Sequence, residues 1–155
     1  MQLDLSFMQV PATEVAHAIQ LSLTPVFLLN GVGVLLGVLT NRLARIIDRA
    51  RTMEQRLPFA TGEEEQDLHQ QLRLISRRAR VINRGITLGT ITALLVAAVV
   101  AMLFATAFAP FPLGAGIAIV FIVSMGSLIG ALWCFLVEIR MATLSLRFGP
   151  SRRKK

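Results

Sequence analysis

Two long stretches of this chain carry no formal charge: residues 15–41 and residues 86–137 contain no Asp, Glu, Lys or Arg. Burying so much uncharged sequence inside a protein core would need a far larger chain than 155 residues. Lipid is the environment that accepts it without one. A helix needs about 20 apolar residues to cross the hydrocarbon core. Leu21–Thr40 meets that length, with Pro25 in its first turns, and so does Ile86–Phe108. Leu113–Val137 is longer and has room to tilt. Between the last two, "APFP" (Ala109–Pro112) breaks the run. Pro110 stops one helix, and Pro112 suits the first turn of the next. The single cysteine, Cys134, cannot form an internal disulfide and sits in an apolar run, where it reads as a small packing residue.

Charge asymmetry sets the expected orientation. The segment 41–85 holds ten arginines and the tail from Glu138 onward holds six Lys or Arg. The first 41 residues and the "APFP" turn hold none. The positive-inside rule then places the N-terminus outside, the 41–85 segment inside, the turn outside and the C-terminus inside. The first span is not read as a cleaved signal peptide, because its basic residues follow the apolar run instead of preceding it. The expected map is a periplasmic segment at 1–20, spans at 21–40, 86–109 and 113–137, a cytoplasmic helical hairpin at 41–85 and a basic tail at 138–155.

The hairpin expectation rests on two apolar stripes. Leu39, Leu43, Ile46, Ala50, Met53 and Leu57 alternate by four and three, as do Leu68, Leu72, Ile75, Ala79, Ile82 and Ile86. Paired antiparallel about "PFATG" (Pro58–Gly62), each couple of residue numbers sums to 125. That common register is what an antiparallel coiled coil requires. Thr61 has the position of an N-cap for the second helix, with Glu64 at the capping-box spacing. Residues just before one stripe are expected to share a side with those just after the other. This gathers Arg42, Arg45, Arg49 and Arg56 with Arg73 and Arg80 on one acid-free basic side. The opposite side takes Ala44, Ile47, Leu74 and Val81 with Arg78, and awaits a partner such as the inner end of the third span. Glu138, at that inner end, lies beside arginines able to pair with it.

Within the spans, small residues mark close helix packing. Gly33–Gly37, Gly85–Gly89 and Gly126–Gly130 each have GxxxG spacing. In the second span Gly85, Gly89, Ala93, Ala97, Ala101 and Ala105 recur every four residues. Gly85 and Gly89 are expected to meet Gly37 and Gly33. The outer part, from Ala101, is expected to meet the third span or a second subunit. Asn30, Thr87, Thr90, Thr92, Ser124 and Ser127 read as structural hydrogen-bonding groups. No ionisable residue lies at mid-membrane, and no metal, cofactor, phosphate-loop or nucleophile-plus-base motif is present. Neither an enzyme nor a cofactor is therefore expected.

The segments "SLTPVFLLNGVGVLLGVLTNRLARIIDRAR" and "RRARVINRGITL" resemble the bacterial membrane family known as domain of unknown function 2721, over roughly Val15 to Arg140. The resemblance implies a bacterial inner-membrane protein with three spans and brings no activity or site residues. The overall expectation is an all-α integral membrane protein: three transmembrane helices, with a cytoplasmic antiparallel helical hairpin extending the first two. Its expected role is that of a non-enzymatic, self-associating scaffold or accessory protein with a basic stalk, in contact with the bilayer and its anionic lipid head groups. Nucleic acid is not an expected partner, since no binding fold accompanies the charge. The alternative is an oligomeric pore or transporter subunit with an arginine-lined vestibule.

Overall fold

The computed structural model describes residues 12–108 and 114–146, all in three long helices and one turn. Helix α1 spans Ala12–Arg56, α2 spans Glu63–Phe108 and α3 spans Gly114–Leu146. A short 3-10 turn at Leu57–Phe59 follows α1. The "APFP" turn and the basic tail beyond Leu146 lie outside the described residues.

No Gly or Pro lies between Val38 and Leu57, so α1 continues through the end of the apolar run without a break. It also begins earlier than the hydropathy boundary at Leu21, and Pro25 sits inside the helix. Proline there removes one i→i−4 hydrogen bond. Pro25 is buried. The turn is closed by Ala60 N–H donating to Leu57 C=O at 3.3 Å. Its second half differs from expectation. Helix α2 starts at Glu63, so the residue preceding it is Gly62 and not Thr61. Gly62 has φ +66°, where a Cβ is strained, and its carbonyl receives Gln66 N–H at 3.4 Å. Thr61 makes no side-chain capping bond among the described residues. Glu63, Glu64 and Glu65 then occupy the first turn, where the helix dipole favours acids.

Helix α2 packs against both α1 and α3. On α1 the inward positions are Ala18, Ser22, Pro25, Val32 and Leu39, and Ala18, Pro25, Val32 and Leu39 recur every seven residues. The heptad stripe read from Leu39 onward therefore extends back through the apolar run. All twelve stripe residues named above are buried or half-buried. The register is visible in one contact: a Cβ on Gly89 would stand 2.9 Å from Leu36 Cδ2, and 36 with 89 continues the sum of 125.

The second interface, between α2 and α3, has its own register. Ser127 Oγ donates to Leu88 C=O at 2.9 Å, and Thr92 Oγ1 approaches Ser124 C=O at 3.5 Å. A Cβ on Gly130 would stand 3.0 Å from Leu88 Cδ1, and one on Gly116 3.4 Å from Met102 Cε. Val96, Val99, Thr92, Ser124 and Ala131 are buried. Cys134 packs by its Cβ against Gly85, in line with a packing role.

The small-residue expectations are only partly met. Gly33 and Gly37 have nothing within 4 Å of a built Cβ, so they do not meet Gly89 and Gly85. Leu36 and Leu39, on the seam, fill those notches instead. Gly126 is likewise open. Along α2, Gly85 and Gly89 are buried, Ala93 is half-buried, and Ala97, Ala101 and Ala105 are exposed. A four-residue step advances about 40° around a helix, and the ridge turns out of both interfaces by Ala97. Met102, not Ala101, faces α3.

Candidate functional site

The most concentrated chemistry lies where the three helices first become charged at one end. Arg42 is the first charged residue after the apolar part of α1, Arg84 the last before that of α2, and Glu138 the first after that of α3. Glu138 is fully buried. Its Oε1 accepts a hydrogen bond from Arg78 Nη2 at 2.9 Å, and its Oε2 lies 2.9 Å from Arg42 Nη2. The Oε2 contact is an ion pair and not an aligned hydrogen bond, and Arg78 Nε is buried without a partner. The Arg42 guanidinium also stands 5.7 Å from the Phe135 ring centroid, a cation–π distance.

Burying one carboxylate is costly, and a second unsatisfied charge nearby would make it worse. Here two guanidiniums answer one carboxylate, and each arginine keeps about a quarter of its side chain exposed, 27% for Arg42 and 25% for Arg78. The surplus positive charge is therefore the part that stays hydrated. The result is a clamp with one residue from each helix. Among the described residues no group of three His, Cys, Asp or Glu side chains gathers as metal ligands.

The clamp corrects the assignment of sides. Arg42 and Arg78 were expected on opposite sides of the α1–α2 pair, yet both reach Glu138. Two antiparallel helices are related by an axis perpendicular to the plane that contains them. That axis exchanges the helices but keeps front and back, so residues just before one stripe share a side with residues just before the other. Arg42 precedes Leu43 and Arg78 precedes Ala79. The same rule brings Arg49 and Arg56 into one hollow with Glu64, Asp67 and Gln71. Arg73 and Arg80 line a different, shallow hollow with His69, Ser76 and Arg77. Arg45 is exposed elsewhere on α1. The six arginines thus do not form one acid-free face. Nor do Ile47 and Leu74 form one apolar side with α3 laid on it; they stay 41% and 63% exposed. The spacing of Arg78 from the stripe contained this information once the symmetry is applied correctly.

The polar residues of the apolar runs mostly serve the backbone. Thr87, Thr90 and Thr92 donate to the carbonyls of Asn83, Ile86 and Leu88, and Ser124 donates to Phe121. Asn30 is exposed on α1 and makes no such bond among the described residues.

Three helices long and apolar enough to cross a membrane define the class, a multi-pass helical membrane protein. The chain belongs to the family described as protein of unknown function (DUF2721), whose profile matches residues 22–148. That range contains the seam from Ser22 onward and all three clamp residues. No curated protein and no solved structure matches the chain.

Proposed function

We propose that this is a non-enzymatic scaffold or accessory protein of a bacterial inner membrane, self-associating, with residues 41–85 standing in the cytoplasm as a rigid antiparallel stalk. The observation that carries the reading is the unbroken α1–α2 seam, non-exposed from Ala18 to Leu57, through the level at which all three helices turn charged. A loop meant only to connect two spans has no need of five further stripe positions on each helix beyond the bilayer. At 1.5 Å per residue the paired helices reach about 25 Å past that level. The Glu138 clamp braces the stalk where it leaves the apolar zone. Arg45, Arg80 and Arg84 are exposed near the same level, where anionic lipid head groups would meet them. Arg42 is excluded from that role by its contact with Glu138.

Orientation and stalk are tested together. In a Cys134→Ser background, single cysteines replacing Gln2 and Thr61 report on the two sides of intact cells. An impermeant thiol reagent is expected to label position 2 from outside and position 61 only after lysis. Outside labelling of position 61 would reverse the topology.

A further inference from the structure

The outward face of α1 holds a polar group that the described residues leave unanswered. Asn30 lies in the middle of the charge-free run 15–41 and is exposed, with no hydrogen bond to its carboxamide among the described residues. The hydroxyls of Ser22, Thr87, Thr90, Thr92, Ser124 and Ser127 each return to a main-chain carbonyl. A carboxamide has two donors and an acceptor and demands a partner of its own in hydrocarbon. Next to it on the same face are Gly33 and Gly37, with nothing within 4 Å of a built Cβ. About three turns beyond Gly37, on the charged side, Asp48 points the same way as Asn30, eighteen residues and about five turns on. Asp48, Arg45 and Arg51 are all exposed, and none makes an ion pair within the described chain.

We infer that this face, Asn30–Gly33–Gly37 continuing to Asp48, is the contact with a second copy of the chain, related by a two-fold axis along the membrane normal. The inference deepens the self-association proposed above and rests on the membrane-spanning reading. Two copies inserted in the same orientation bring α1 beside α1 in parallel, so each residue meets its own counterpart. A carboxamide is self-complementary: the amide of one Asn30 donates to the carbonyl of the other. The glycines let the two backbones come close enough for that exchange. Outside the hydrocarbon, Asp48 meets its own counterpart, and Arg45 and Arg51 of both copies lie within a turn on either side, so that the two exposed carboxylates are flanked by four guanidiniums that offset their like charge. A lipid-facing surface would explain Phe27 and Val34 beside this face but not an amide without a hydrogen bond among the described residues next to two open glycines.

The test uses the full chain, purified in detergent and reconstituted at low density in lipid nanodiscs, with mass measured for wild type, Asn30→Leu, Asn30→Gln, Gly37→Leu and Gly126→Leu. The wild type is expected to be dimeric. Asn30→Leu and Gly37→Leu are expected to weaken the dimer about tenfold, with unchanged thermal midpoints of the chain fold, since both side chains point into open space. Asn30→Gln, which keeps the amide, and Gly126→Leu, on α3, are expected to remain dimeric. An oligomer indifferent to both α1 variants overturns this face while leaving self-association intact. A wild type that is monomeric in detergent and in nanodiscs at every concentration overturns both.

Discussion

Glu138 is the residue on which three helices depend, and its two partners are not equivalent to it. Glu138→Gln leaves Arg42 and Arg78 facing each other across a neutral amide, whereas Arg42→Gln or Arg78→Gln leaves one ion pair standing. Loss of a buried charge's partner costs about 3–5 kcal/mol when nothing replaces it. The partial exposure of the arginines puts Glu138→Gln at about 2–3 kcal/mol by the same argument. Each arginine variant alone is expected to lower the detergent thermal midpoint less than Glu138→Gln, and the double arginine variant, which strands a fully buried carboxylate, to lower it more than Glu138→Gln. Additivity of the two arginine effects would show that they act independently of the carboxylate. Glycines separate in the same way. A Cβ on Gly85 meets Cys134 Cβ at 3.3 Å and Ala131 C=O at 3.6 Å, a Cβ and a backbone atom that cannot swing aside. Gly85→Val is therefore expected to cost about 1–3 kcal/mol, read in the same thermal assay. Gly126→Ala, in open space, is expected to be neutral or slightly stabilising through helix propensity. Sequence spacing marked both glycines alike. Which one was filled depended on the facing helix, and that could not be read from either GxxxG.

The α1–α2 seam was legible in the sequence because a register common to twelve positions is a local property of two stripes. Its extension back to Ala18 was not, because a heptad stripe disappears where every position around the helix is apolar; only burial separates Val32 from Val34 there. The seam beyond the apolar zone gives a direct prediction. Cysteines at Ile46 and Ala79, in a Cys134→Ser background, are expected to crosslink within one chain, and cysteines at Ile46 and Leu68 are not. An equal yield for the two pairs would mean that the helices do not hold this register in the membrane. Ala50→Asp places an unpaired carboxylate in the seam and is expected to destabilise the α1–α2 packing by several kcal/mol. The turn offers a finer check. Thr61 was the expected cap from its spacing to Glu64, but the chain uses Gly62 at φ +66°. A spacing rule cannot see which of two adjacent residues must turn left-handed. Thr61→Ala is accordingly expected to change stability little, while Gly62→Val, forced into that region, is expected to cost about 1–2 kcal/mol, measured as a shift of the thermal midpoint.

At the scale of the molecule, α2 is the central helix, because the main packing is α1 on α2 and α2 on α3. Its circumference is divided among three environments. One arc, with Ile82, Gly89 and Leu68, meets α1; another, with Thr92 and Val99, meets α3; the rest is free. The ridge from Gly85 to Ala105 crosses from the first region into the free arc because its four-residue period outruns the 3.6-residue helix. Small residues on the outer half are thus no evidence of a neighbour within the chain. If α1 carries the contact with a second copy, those residues face lipid, and the two surfaces make opposite predictions. Ala101→Leu adds bulk to an exposed position and is expected to leave both the thermal midpoint and the assembly mass unchanged. Leu39→Ala, at a fully buried seam position where α1 meets Gly85, is expected to cost about 2–5 kcal/mol. A drop in assembly mass for Ala101→Leu, with the midpoint preserved, would move the intermolecular contact from α1 to the outer half of α2. A drop in the midpoint would mean that α3 closes over Ala101 in the bilayer, which its exposure in the isolated chain argues against.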